Sequence, residues 1–213
     1  DKTLLIDLKK KVSNKIIAEN DANCFALSEA IDGAAKNAYS VFGIILGSGT
    51  GGGLVINKEI IKGKNFLGGE WGHNFLPGFG LNEKNSKKIK PQYQFTIEQY
   101  LSGKGLEKIF KQEFKKKLSA NEIFMNKSND IKIKNFIKNY KDRLARSLAM
   151  IINVLDPDTI VFGGGVSNEI KNLNEIKNLT SNYLKKVNLK TVFTHPAHGD
   201  SSGVRGAALL ARN

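Results

Sequence analysis

Three short stretches of this chain carry residue types that could act together on one reaction. Glu19-Asn20-Asp21-Ala22-Asn23 sets carboxylates beside two amides. Such a group can take a proton from a hydroxyl and fix its orientation. Gly69-Glu70-Trp71-Gly72-His73 offers a Glu and a His three residues apart, each able to hydrogen-bond a vicinal diol. Both clusters suit a sugar alcohol better than a peptide or a base. Between them runs Gly47-Ser48-Gly49-Thr50-Gly51-Gly52-Gly53, five glycines in seven residues. A backbone this bare can approach a phosphate closely and aim several N–H donors at it. Each stretch also has a plainer reading. The glycine run could be a hairpin with no ligand. Asn20 and Asn23 could cap a helix, with Asp21 in its first turn beside the helix dipole. His73 taken singly could be structural.

The elements that would position these groups follow from periodicity. Leu4 to Lys11 reads as a short helix leading into a strand, Lys15-Ile16-Ile17-Ala18. Ala22 to Ala38 carries Phe25, Ala26, Ala30, Ala34 and Ala38 at helical spacing. Val41 to Ile61 reads as three antiparallel strands, joined by the glycine run and then by Asn57-Lys58. Phe66 to Gly80 is a loop punctuated by Gly and Pro, and Asn82 to Lys90 a polar surface excursion. Thr96 to Phe110 reads as a helix interrupted at Gly103, Leu118 to Asn126 as a second, and Ile133 to Leu155 as a long amphipathic one stopped by Pro157. Thr159 to Phe162 is a short buried strand ending at Gly163-Gly164-Gly165. Ile170 to Lys186 is helical, Thr191-Val192-Phe193 a last strand, and Gly203 to Ala211 a closing small-residue helix. Antiparallel strands followed by helix, strand, helix, strand and helix describe a mixed α/β sheet with helices packed on it.

Bulk composition narrows the field. A length of 213 residues with 40% hydrophobic content supports one or two small domains with a sizeable core. No continuous apolar run is long enough for a membrane helix, and no basic-then-apolar segment opens the chain. A lone cysteine, Cys24, excludes an internal disulfide framework and a cysteine-cluster metal site. The cytoplasm is the expected compartment, and no membrane partner is expected. The net charge of +13 invites a nucleic-acid reading. Arginine, the residue that reads bases best, stands only at 143, 146, 205 and 212, and the lysines are scattered. No nucleic-acid partner is expected.

The ordered set of motifs resembles the larger C-terminal part of sugar kinases of the ROK (repressor, open reading frame, kinase) family. The matching stretches are Glu19 to Asn23, Leu46 to Gly53, Gly69 to His73, Leu155-Asp156-Pro157-Asp158, Gly163 to Gly165 and His198-Gly199-Asp200. Within the family, Ser28 to Ala30, Asp32 to Ala35, Glu70 to Asn74 and His198 to Ala208 look most similar to bacterial fructokinases of mannofructokinase type, with N-acetylglucosamine kinases next. The resemblance implies a ribonuclease-H-like fold of the actin and hexokinase type, with ATP and substrate in a cleft between two lobes. Residues 1–40 would be a remnant of the N-terminal lobe plus a crossover helix, and 41–213 the C-terminal lobe. It implies ATP-dependent phosphorylation of a hexose, D-fructose at its 6-hydroxyl first, with N-acetylglucosamine or glucose as alternatives. Asp21 would be the general base, with Asn20, Glu70, His73 and Glu98 as further sugar contacts. Gly47, Ser48, Gly49, Thr50 and Gly51 would face the nucleotide phosphates, and Gly163, Gly164 and Gly165 the adenosine. A sugar-responsive repressor of the same family is the reading from another class. The family is usually dimeric, so a homodimer is among the expected assemblies.

Two departures from the family pattern carry expectations of their own. The family's zinc site joins the histidine matching His73 to three cysteines. Here the stretch Pro91 to Glu98 holds no cysteine, so no zinc is expected and packing of Tyr93 and Phe95 would hold the loop. The family's opening phosphate loop, which helps hold Mg²⁺, has no counterpart in these residues. Little or no kinase activity is therefore expected from this chain in isolation.

Overall fold

The computed structural model describes residues 2–12, 16–78, 95–126, 130–185 and 187–211. Among the described residues one sheet holds β1 (Ser40–Leu46), β2 (Thr50–Ile56), β3 (Glu59–Ile60), β4 (Thr159–Gly163) and β5 (Val192–Thr194). The spatial order is β3-β2-β1-β4-β5. β1, β2 and β3 are antiparallel neighbours, while β4 runs parallel to β1 and β5 parallel to β4. The β2–β3 connection is a two-residue turn with Asn57 at φ 50° and Lys58 at φ 63°. Two consecutive left-handed residues twist a hairpin in the sense its strands need.

Helices cover both faces. Among the described residues the helices are α1 (Lys2–Lys11), whose described side chains are exposed and join neither core, α2 (Asp21–Ile31), α3 (Ile97–Leu101), α4 (Gly103–Phe114), α5 (Ala120–Phe124), α6 (Ile131–Leu155), α7 (Leu173–Tyr183) and α8 (Ser202–Leu210). Side chains of a strand point alternately to opposite faces. Phe42, Ile44, Leu54, Ile160 and Phe162 therefore join the large core with α3, α4, α6 and α7. Val41, Val55 and Val161 join the smaller core of Phe25, Ala26, Leu27 and Ala30, against which Leu209 and Leu210 pack. That smaller layer is thin because small residues meet there. A Cβ on Gly206 of α8 would stand 1.8 Å from the Cys24 carbonyl oxygen of α2, so the two helices touch backbone to backbone. Cys24 itself is buried as a small hydrophobe.

Several expectations are corrected. Ile16 to Ala18 lies outside any strand or helix, since no sheet edge among the described residues pairs with it. The helix expected over 22–38 stops at Ile31, because the Glu29 carboxylate takes the Ala34 N–H at 2.8 Å and the Glu29 carbonyl takes that of Ala35 at 3.0 Å. The break between α3 and α4 falls at Ser102, whose hydroxyl caps α4 through the Gly105 N–H. The helix expected over 118–126 is the single short α5, started by a reciprocal Ser119–Glu122 capping pair. α7 begins at Leu173 because the Asn172 side chain caps it. Residues 79–94, with Tyr93 and the polar excursion at 82–90, lie outside the described residues.

Candidate active site

The polar elements singled out in the sequence converge on the first residues of β2. The glycine run divides. Gly47, Ser48 and Gly49 form the turn, while Thr50 to Gly53 are already in the strand, with Gly51 opposite Ile45. The strand glycines leave room for neighbours. A Cβ on Gly53 would meet the Ala22 carbonyl oxygen of α2 at 2.5 Å, and one on Gly52 the Gly69 oxygen at 2.6 Å. The run thus serves packing of the flanking elements as much as openness of the turn.

α2 brings Asp21 to this point. The Asn20 side chain caps the helix, accepting the Ala22 N–H at 2.8 Å. Asp21 Oδ1 accepts from the same N–H at 2.9 Å, and the residue is exposed. Asp21 thus stands in the first turn of α2, with its carboxylate at the helix N-terminus. The chain entering the helix is held by Glu19. Its Oε1 accepts from the Asn20 N–H and from Asn23 Nδ2, both at 3.0 Å, and its Oε2 pairs with Lys62 at 2.6 Å. Burial alone would raise the Glu19 pKa. The Lys62 ammonium and the Asn23 and Asn20 donors outweigh it and hold the carboxyl below the ordinary glutamate value.

The second cluster lies flat across β2. Gly69 has φ 89°, Trp71 Nε1 donates to the Gly51 carbonyl at 2.7 Å, and the Trp71 ring is buried. Residues Trp71–His73 form one turn of tight helix. Glu70 and His73 border a cleft of about 490 Å³ that runs toward Met150 and Val154 of α6. Their side-chain polar atoms are 3.7 Å apart, beyond hydrogen-bond reach, so each side chain remains able to bind a ligand hydroxyl.

Glu98, on α3, reaches the turn itself: its Oε2 accepts the Thr50 N–H at 3.0 Å. The Thr50 hydroxyl oxygen is buried and has no hydrogen-bond partner among the described residues. The turn is closed by the Gly47 N–H to the Gly49 carbonyl at 3.0 Å, and its Ser48 and Gly49 are exposed. The third glycine run begins at the neighbouring strand end. Gly163 closes β4 opposite Ile45, and Gly164, at φ 89°, presses against the Leu46 backbone. The Val166 N–H donates to the Leu46 carbonyl at 2.8 Å, while Gly165 faces open space. Both bare-backbone segments therefore stand at the carboxyl ends of the parallel pair β1 and β4, where open α/β sheets bind ligands. Asp21, Glu70 and Glu98 make no hydrogen bond to one another; what they share is β2.

The whole chain, residues 1–213, matches the sequence profile of the ROK family. The chain belongs to the ROK family. The N-acetyl-D-glucosamine kinase of Vibrio cholerae serotype O1 is 38% identical to it over 214 residues, covering 98% of this chain and 71% of the relative. That of Photobacterium profundum is 37% identical over 209 residues, covering 96% and 69%. Among solved structures the ROK hexokinase from Thermus thermophilus superposes with a TM-score of 0.77 at 26% identity, over 91% of this chain and 64% of that one. The ROK glucokinase of Streptomyces griseus, solved with glucose and AMPPNP, shares the fold with a TM-score of 0.76 at 23% identity, over 97% of this chain and 71% of that one. This ROK chain thus stands in the sugar-kinase branch, with the ribonuclease-H-like fold of that branch, and spans about two thirds of its relatives' length. The likeness to fructokinases finds no support in these names, which point to N-acetylglucosamine and to hexoses.

Sequence reasoning about this ROK chain misses two residues. Glu19 is visible only as part of a cluster, although its spacing of four from Asn23 is that of a helix-turn pair. Glu29 gives no signal as a structural anchor. It is fully buried, and its carboxylate accepts from Ala34 N at 2.8 Å, Ala197 N at 2.9 Å, His198 N at 3.2 Å and the Ser202 hydroxyl at 2.8 Å. It fastens the helix that carries Asp21 to the segment entering α8.

Proposed function

We propose that the full-length protein phosphorylates a hexose with ATP and Mg²⁺, in the cytoplasm, and that this chain supplies both sugar contacts and nucleotide-facing loops of the site. The convergence of Asp21, the Glu70–His73 segment and Glu98 on the strand that begins at the glycine turn supports the reading. Phosphoryl transfer asks chiefly for positioning, charge neutralisation and one group to take the hydroxyl proton. Asp21 accepts that proton, and Asn20 lies beside it as a sugar contact. Glu70, His73 and Glu98 bind ring hydroxyls. The turn from Gly47 to Gly51 faces the nucleotide phosphates, and Gly163 to Gly165 carry the adenosine.

The acceptor we favour is N-acetyl-D-glucosamine, the sugar named for relatives of 37% and 38% identity. D-fructose is the second reading, carried by the motif likeness of residues 28–35, 70–74 and 198–208. A panel of N-acetylglucosamine, fructose, glucose and N-acetylmannosamine with Mg·ATP, followed by ADP release, separates them. N-acetylglucosamine should exceed every other member in kcat/KM by about tenfold or more, roughly 1.4 kcal/mol of discrimination. Preferred turnover of fructose would transfer the assignment. No ADP release with any member, together with specific binding to operator DNA, would make the protein a repressor.

No zinc takes part in this proposal. Among the described residues no group of three or more His, Cys, Asp or Glu side chains could hold a metal. The chain's one cysteine is buried on α2, which leaves His73 without soft co-ligands. Elemental analysis of the purified protein should find zinc well below one equivalent; a stoichiometric amount that leaves only on unfolding would contradict this.

A further inference from the structure

The α3–α4 pair is hydrogen-bonded to both halves of the site. At its start, Ile97 N donates to the Asn74 carbonyl at 2.8 Å and Leu76 N to the Phe95 carbonyl at 2.7 Å, which joins α3 to the segment just after His73. At its middle, Glu98 Oε2 holds the Thr50 N–H at 3.0 Å and stands 3.0 Å from where a Cβ of Gly49 would be. Further along, the Gly103 N–H donates to the Gly47 carbonyl at 2.7 Å. One side chain of this bridge, Glu98, therefore sits on a donor of the phosphate turn. Beside it the buried Thr50 hydroxyl oxygen has no partner among the described residues. Ser48, Glu98, Ser102, Lys104 and Lys108 line a single cleft of about 410 Å³ along the bridge.

Resting on the kinase reading above, we propose that Glu98 is a latch that makes sugar and nucleotide binding cooperative. In the arrangement seen, its carboxylate occupies the Thr50 N–H and lays a negative charge against Gly49. A nucleotide phosphate approaching the turn competes for that donor and is repelled by that charge. A sugar hydroxyl donating to Glu98 gives the carboxylate another partner and releases Thr50. The freed N–H then becomes available to the phosphate. Each ligand favours the released position of one side chain, so each must tighten the other by the same factor. Glu98 is here a positioning residue for the nucleotide as well as a sugar contact.

Titration calorimetry of the full-length protein with a non-hydrolysable ATP analogue and Mg²⁺, with and without saturating N-acetylglucosamine, tests the latch. The sugar should tighten the nucleotide by about fivefold or more, the lower end of ordinary coupling between sites. The nucleotide should tighten the sugar by an equal factor, a check that needs no variant. Glu98→Gln keeps the shape and removes the charge. It should bind nucleotide alone several-fold more tightly than the wild type and bring the coupling factor close to one. Independent binding of the two ligands by the wild type would overturn the latch and leave the kinase reading standing. So would weaker nucleotide binding by Glu98→Gln alone. Failure to bind either ligand would overturn both.

Discussion

Asp21→Asn in the full-length protein is expected to lower kcat by a factor of about 10² to 10⁴, the usual contribution of a positioned acid–base group. That loss corresponds to roughly 3 to 5 kcal/mol of barrier. The substitution is nearly isosteric, and the amide oxygen can still accept the Ala22 N–H that Asp21 Oδ1 accepts at 2.9 Å. Asn20 keeps the helix capped. What disappears is the ability to receive a proton. Nucleotide affinity should stay within about twofold, because the turn and the Gly163–Gly165 segment are untouched, and the split between kcat and KM identifies a group acting in the transition state. The measurement is steady-state kinetics with the preferred sugar. Turnover close to wild type would remove Asp21 from the mechanism.

Glu29→Ala should produce the largest loss of stability. The Glu29 side chain is 0% exposed and satisfies three backbone N–H groups and one hydroxyl that reach it from two separate parts of the chain. Its removal takes the shared acceptor from three part-buried N–H groups, while the Ser202 hydroxyl keeps the Gly199 carbonyl at 2.8 Å; the loss of this charged hub costs about 3 to 5 kcal/mol. A drop in Tm on the order of 10 °C follows for a chain of this size. Glu29→Gln should lose nearly as much, since its amide NH₂ turns a donor toward donors. The pH dependence has a definite sign. Burial by itself would raise the Glu29 pKa, but the bonds from Ala34, Ala197, Ser202 and His198 hold it below the ordinary glutamate value. A carboxylate depressed in the folded state lends its stability fully above its unfolded pKa and loses it as pH falls through the folded one. Thermal melts from about pH 7 down to about pH 3 should therefore show wild type and variant converging in acid. A constant gap across that range would mean that the charge of Glu29 contributes nothing.

The contrast between these two residues explains what can be read from the sequence. β1, β2 and β4 are legible because strands buried on both faces show continuous apolar runs such as Val41 to Leu46. α6 is legible because twenty-five residues of one amphipathic pattern leave few alternatives. Asp21, Asn20, Glu70 and His73 are legible as clusters because polar groups that converge on a ligand sit close together in sequence. Glu29 is not, because one of its partners, Ala197, lies 168 residues away and a lone glutamate in a helix looks solvated. The same limit hides the end of α2, which is set by that carboxylate rather than by Gly33 or any breaker. Ile16 to Ala18 has strand composition, yet a strand exists only where an edge receives it. The glycine run reads as one loop, since sequence cannot tell a glycine that frees a turn from one that lets Ala22 or Gly69 approach.

The central claim concerns one atom pair, and a crystal structure of the full-length protein with N-acetylglucosamine and a non-hydrolysable ATP analogue measures it. The account predicts an Asp21 carboxylate oxygen within about 2.6 to 3.2 Å of the sugar hydroxyl that faces the terminal phosphate. A sugar bound with that hydroxyl turned to another side chain, and Asp21 facing solvent, would contradict it.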